Sequence, residues 1–257
     1  MKLNVQKNQV LFWLGSVHLL IFILLFIYSL FNDVLVLGIN SMIKPMKFAL
    51  SIWIYSWTMA LILNYVTDNC KVKIYSWVAV ICMGFEQVAI TYQALNGEPS
   101  HFNTSNTFGI VLFALMGIFI LIITFWTAYI TYIFSRQKTY EINQAIVLSI
   151  KIGLIFFVVF SLLGGYISSL QGHTVGAADG GQGLWFLNWN THFGDLRVAH
   201  FFGIHSLQLI PLFAIIISKY LDDLKSKLAV KIFSFVFLLF VLWTLGQGLS
   251  GLPFLKF

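Results

Sequence analysis

The residues able to do chemistry in this 257-residue chain are few and clustered. Five of its six histidines, His101, His173, His192, His200 and His205, fall in or beside two polar connections; His18 lies elsewhere. Near them, inside otherwise apolar stretches, stand Lys47, Glu86, Gln93, Asp195, Arg197, Gln208 and Gln247. An ionisable group facing lipid costs about 2.5–3.5 kcal/mol on insertion scales. Glu86, Lys47 and His205 are therefore expected to face one another around a hydrated pocket that opens outward. Arg197 and Lys47 would offer charge to a small polar or anionic ligand. His101, His200, His205, Gln93 and Gln247 would offer hydrogen bonds, and Glu86 a proton-linked or counter-charge group at the floor. The plainer alternative is that these groups bond in pairs as interhelical glue, worth about 0.6 kcal/mol each.

A metal is the second chemistry to weigh. His200 and His205 are five residues apart, about 140° around a helix, whereas two ligands on one helix prefer a spacing of three or four. Zinc or a similar metal would need His101, His200 and His205 brought together by the fold, or one of them joined to Asp195 or a loop histidine. Haem held by His18 and an outer histidine would need ligands at matching depths, which these lack. Asp195 suits a helix N-cap; Arg197 could fork onto it, onto Asp179, or onto a ligand carboxylate or phosphate. The run Asp179-Gly180-Gly181-Gln182-Gly183 matches no phosphate or calcium loop, and no GxSxG or HExxH motif is present.

The elements that must position these groups follow from composition. Charged residues make up 9% of the chain and apolar ones 59%, with a mean hydropathy of +0.88. A soluble core of this size cannot hold that much apolar side chain. Disorder, collagen, coiled coil and free nucleic-acid binding are excluded on the same grounds. Seven stretches reach the roughly 20 residues that span a bilayer: about 10–31, 47–66, 74–95, 107–134, 144–170, 198–219 and 232–252. The expectation is an all-α membrane protein in one transmembrane domain. The longest connection, 171–197, is expected outside, with Trp185, Phe186, Trp189 and Phe193 as anchors.

Lysine and arginine set the orientation. Lys2, Lys7, Lys71, Lys73, Arg136, Lys138, Lys219, Lys225, Lys227 and Lys231 gather on one side, against Lys44, Lys47, Arg197 and Lys256 on the other. The N-terminus is expected in the cytoplasm and the C-terminus outside, in a cytoplasmic (inner) membrane, with Lys151 snorkelling to the basic side. The net charge of +6 then answers to anionic headgroups and topology. The first apolar run is too long for a signal peptide and no small-residue cleavage site follows it, so it reads as a retained helix. Cys70 and Cys82 are not expected to pair. Asn103-Thr104-Ser105 is a glycosylation sequon, meaningful in a secretory-pathway host.

Two segments share the pattern Q-x-L-x-G-x-P, Gln93 to Pro99 and Gln247 to Pro253, offset by 154 residues. A weaker pair, Lys44 to Phe48 and Arg197 to Phe201, is offset by 153. The implied plan is three helices, a linker helix and three helices, a parallel repeat as in SWEET-type sugar-transporter folds. It would set Gln93 opposite Gln247 and Lys47 opposite His200. The alternative is that Gly-x-Pro is simply a good helix stop.

The segments around Ser100-His101-Phe102-Asn103, His173-Thr174-Val175-Gly176 and Gly194-Asp195-Leu196-Arg197 through His200, His205 and Gln208 resemble those of an uncharacterised family of bacterial seven-helix membrane proteins. The resemblance covers most of the chain and implies no activity. In span count the chain is similar to opsins and to membrane hydrolases related to alkaline ceramidase. It lacks the retinal-type lysine of the first and the His-x-x-x-His pair of the second. Three classes remain: a ligand-binding protein for transport or sensing, a metal-dependent hydrolase or transferase acting on outer-leaflet lipid, and a haem or redox protein.

Overall fold

Seven helices follow the seven apolar runs, in a computed structural model that describes residues 4–104 and 106–256. They are α1 Gln9–Ser29, α2 Ile43–Leu63, α3 Asn69–Leu95, α4 Thr107–Arg136, α5 Gln144–Ser169, α6 Arg197–Ile217 and α7 Asp223–Leu249. All seven are long and apolar enough to cross a bilayer. Lys2 and Ser105, used above for topology and for the sequon, lie outside the described residues.

Helix starts are written in side chains. Asn8, Asp68, Asn106, Asn143 and Asp222 each accept a backbone N–H from the first turn of α1, α3, α4, α5 and α7. Asp222 thereby begins α7 nine residues before the expected apolar edge at 232, because the turn carrying Lys225 and Lys227 is helical but not apolar. Likewise α3 begins at Asn69 rather than 74. α2 and α6 differ: neither has a side-chain cap from its preceding residue, and each carries a cation in its first turn, Lys44 second in α2 and Arg197 first in α6.

Small residues let the helices close up. Gly15 of α1 lies under Trp57 and Trp53 of α2, and Gly153 of α5 lies against Ser206 and Leu207 of α6. Those two pairs are the most intimate in the bundle; α3 and α7 flank them and α4 bridges α3 to α5. Deep inside, the hydroxyls of Tyr55, Tyr75 and Thr127 bond one another, joining α2, α3 and α4. Large apolar side chains such as Trp13, Val88, Phe125 and Phe235 face outward, as lipid contact requires.

One end of the bundle bears a cap. A short hairpin, β1 Leu35–Val36 with β2 Ile39–Asn40, turns at Leu37 and Gly38, both at positive φ as a type I′ turn demands. Within 171–196, β3 Thr174–Val175 pairs antiparallel with β4 Gly194–Asp195, and Trp185–Leu187 forms a 3-10 turn. The two parts are stitched where the Gly181 N–H donates to the Leu37 carbonyl at 2.9 Å. Trp189 packs on Phe201, Phe202 and Phe254, tying in the C-terminal segment. The opposite, basic end has short turns. There Lys151 does reach back, to the Ser135 carbonyl and over the Tyr140 ring.

The matched Gln-x-Leu-x-Gly-x-Pro segments adopt one conformation. Gly97 and Gly251 sit at φ +72° and +73°. The Glu98 N–H returns to the Gln93 carbonyl, and the Leu252 N–H to the Gln247 carbonyl. Both α3 and α7 thus end in the same Schellman stop.

Candidate functional site beneath the cap

Asp195 organises the cap. Its carboxylate takes Nε of Arg197 at 2.9 Å and Nη2 at 2.6 Å, and it also accepts the backbone N–H groups of Arg197 and Asn190. The fork expectation is met; the N-cap expectation is not, since the N-cap of α6 is Leu196 and Asp195, one residue further out, reaches only the first N–H of the helix. Burial pushes the Asp195 carboxyl up, but the Arg197 hydrogen bonds and charge outweigh it and hold the group below its usual range. His173 stands between two acids, 3.3 Å from Asp179 and 3.7 Å from Asp195. Burial and the Arg197 charge pull its pKa to about 4 despite them. Asp179 also accepts the N–H groups of His173 and Thr174, fixing the start of β3. Lys47 donates to the Leu187 carbonyl at 3.0 Å.

Beneath this layer lies a second group, held on α2 and α3. Glu86 and Gln93 are seven residues apart, which returns them to one face of α3, and each is only 1% exposed. Among the described residues Glu86 makes no hydrogen bond or ion pair, and neither polar atom of the Gln93 side chain has a partner. The first turn of α2 lies along this stretch: Gln87 donates to the Pro45 carbonyl at 3.3 Å, while Met42 and Met46 pack with Ala94. Lys44 sits on that turn, half-buried. Among the described residues its ammonium has no hydrogen bond or ion pair, and its charge reaches Glu86. His101 is close enough to feel Lys44. Its ring rests among Phe48, Phe102 and Phe113, and Ser100 is its hydroxyl partner. Burial, then the Lys44 charge, holds the His101 pKa well below the ordinary histidine value.

The remaining expected residues go elsewhere. His200 bonds through Nδ1 to the Phe160 carbonyl of α5, over Gly164. His205 bonds Gln208, which donates to Thr58 of α2, an interhelical chain of the kind that merely joins helices. Gln247 donates to the Pro253 carbonyl of its own helix stop, and its Oε1 has no partner. His192 lies at the surface of the cap. His18 bonds the Leu14 carbonyl within α1. Among the described residues no three His, Cys, Asp or Glu side chains are placed to hold a metal ion. His101, His200 and His205 each answer to a different partner. Both cysteines are free.

The structure therefore brings together Lys47, Asp195 and Arg197 with His173 and Asp179, and sets Glu86 and Gln93 beside Lys44 and near His101. It gives His205 and Gln208 a separate hydrogen-bond chain. In sequence Lys44 reads as an outer charge and as a member of the offset-153 pair, not as a ligand-facing group. A cleft of about 840 Å³ lies at the basic end, lined by Lys7, Asn64, Lys73, Gln137 and Tyr140 among others.

Comparison with protein-family models, characterised proteins and solved structures returns no match. The class is set by the helices themselves: this is a multi-pass helical membrane protein, and lipid is its surroundings.

Proposed function

We propose that the protein binds a small polar or anionic ligand under the cap, on the extracytoplasmic side of a cytoplasmic membrane, for transport or sensing. One observation carries this reading. Among the described residues Glu86 and Gln93 of α3 carry buried polar atoms without a partner, and Lys44, without a hydrogen bond or ion pair, stands on the adjoining first turn of α2, although an unsatisfied buried polar group costs about 1–3 kcal/mol. A fold meets that cost where water or a ligand supplies the missing partners. The charge bias supports the orientation, since Lys7, Lys71, Lys73, Arg136 and Lys138 all lie at the uncapped end. The experiment is a thermal-shift screen of small polar compounds on the purified protein. At least one compound raises the melting temperature, and Glu86→Gln and Lys44→Gln lose that shift. A screen in which no stabilisation depends on these two residues overturns the reading.

We also infer the three-one-three parallel repeat. It is supported by the shared helix stop of α3 and α7, a cation in the first turn of both α2 and α6, and the matching closeness of the α1–α2 and α5–α6 pairs. In this reading Lys44 and Arg197 are counterparts, one of them neutralised by Asp195 and the other left without an acid in contact.

A further inference from the structure

The cleft at the basic end is no part of the site beneath the cap. Its volume of about 840 Å³ is that of a small-molecule site. The entry to α1, the end of α2, the start of α3 and the connection from α4 to α5 wall it. Side-chain amides are spent on holding those walls together. Asn8 donates to the Ser76 hydroxyl at 2.9 Å, tying α1 to α3. Gln137 donates to the Tyr65 carbonyl at 3.0 Å and accepts the Thr67 N–H, tying the end of α4 to the end of α2.

The two ammonium groups that line the cleft are not spent in this way. Lys7 has one long contact, 3.5 Å to the Asn64 carbonyl. Lys73 has no hydrogen bond or ion pair among the described residues. One acid, Glu141, also lines the cleft and pairs with neither lysine, so the lining carries a net positive charge. Lysines at the start of α7 are different: Lys225 lies 3.1 Å from Asp222 and Lys227 lies 2.6 Å from Asp223.

Along its length the lining changes from polar to apolar. It runs from Lys7 and Asn64 at the helix ends to Trp77, two turns along α3, with Val10 and Val72 between. Trp77 is exposed, as is Trp13 in the second turn of α1. Exposed tryptophan belongs at the water–lipid boundary, so the cleft opens where headgroups lie. A water-soluble anion would meet the lysines and leave Trp77 and the valines to water. A neutral lipid would cover the apolar part and leave the ammonium groups unanswered. An anionic phospholipid does both, since lysine is a regular phosphate partner and basic pockets between membrane helices take anionic headgroups.

We propose that this cleft binds the headgroup of an anionic glycerophospholipid from the leaflet at the basic end, with Lys7 and Lys73 answering its phosphate and Trp77 lying against its apolar part.

The test places the purified full-length protein in phosphatidylcholine nanodiscs and replaces that lipid stepwise by phosphatidylglycerol, reading the melting temperature. The temperature rises and then levels off, as occupancy of a site requires. Lys7→Gln and Lys73→Gln each raise the phosphatidylglycerol fraction needed for half the rise by about fivefold. Lys73→Arg keeps the wild-type response, and so does the double variant Lys225→Gln with Lys227→Gln. No rise, or a rise without levelling, overturns the inference. An equal loss in the Lys225 and Lys227 variant overturns it as well, because the effect is then one of general surface charge. Inorganic phosphate giving the same rise in phosphatidylcholine alone overturns the choice of a lipid.

Discussion

Arg197 grips Asp195, two residues before it, through two guanidinium nitrogens, and the Asp195 side chain is wholly buried while the arginine keeps 27% of its own exposed. The pair closes the loop that starts α6. Replacing the carboxylate by an amide leaves the guanidinium without its anion and turns one acceptor oxygen into an NH2 group, so one of the two backbone N–H groups, Asn190 or Arg197, loses its acceptor. Asp195→Asn is therefore expected to cost roughly 2–4 kcal/mol, as for a buried pair that loses one partner. A thermal melt in detergent checks this; a loss of no more than a degree would mean that water replaces the carboxylate without penalty.

The cap is expected to weaken in acid, in a defined window. His101 and His173 titrate in the unfolded chain near 6.5, and both are pulled below that in the fold, His173 to about 4. The unfolded chain thus binds more protons below pH 6.5, so stability is full above that value and falls as pH drops toward 4. Asp195, held below its ordinary 3.8, adds a loss at still lower pH. Hydrogen-exchange protection across 171–196, corrected for the pH dependence of the intrinsic amide rate, is expected to fall in the order pH 7.5, 5.5 and 4.5. Protection that stays flat over the range would contradict the burial of the two imidazoles.

Gly194 fixes the cap to the end of α7. A methyl group there would run into the Gly248 carbonyl and come within 2.9 Å of the Gly251 Cα, both backbone positions that cannot swing aside. Gly194→Ala is expected to destabilise by about 1–3 kcal/mol, the usual range for overpacking. Gly246→Ala, which meets nothing within 4 Å, serves as the neutral comparison. Equal melting temperatures for the two variants would show that β4 can be displaced freely.

The native cysteines report topology without engineering. Cys70 is exposed in the turn that starts α3, and Cys82 is 1% exposed inside that helix. With the basic end in the cytoplasm, a membrane-impermeant maleimide is expected to label inside-out vesicles at Cys70 and to leave intact cells unlabelled. Labelling of intact cells would reverse the orientation proposed for every connection.

The helices were legible because each is a long apolar run, and their number survives any shift of edges. Edges were legible only where a cap residue was weighed against hydropathy: Asp222 starts α7 in a segment that apolar counting rejects. The cap's strands were not legible. Two-residue strands have no period to read, and Leu37-Gly38 lacks the asparagine or aspartate that advertises a type I′ turn. Within the site, Asp195 with Arg197 was legible because adjacency limits the choices. The depth of Glu86 was legible too, but not its companion. Lys44 and Lys47 lie on nearly the same face of α2, and which one turns inward depends on where α2 lies against α3, a relation that no local pattern encodes. His205 attracted attention by type, yet Gln208, one turn on, was placed to satisfy it.

The seam between Gly194 and Gly248, with Trp189 on Phe254, joins parts of the chain that leave the ribosome far apart in time. The lid is consequently the last part of the molecule to assemble. Six helices can be inserted, and the Asp195–Arg197 clasp made, while the floor for β4 is still being synthesised. Only when the final span has crossed the bilayer can β4 seat on Gly248, so delivery of the seventh helix doubles as the step that fastens the cap to the bundle.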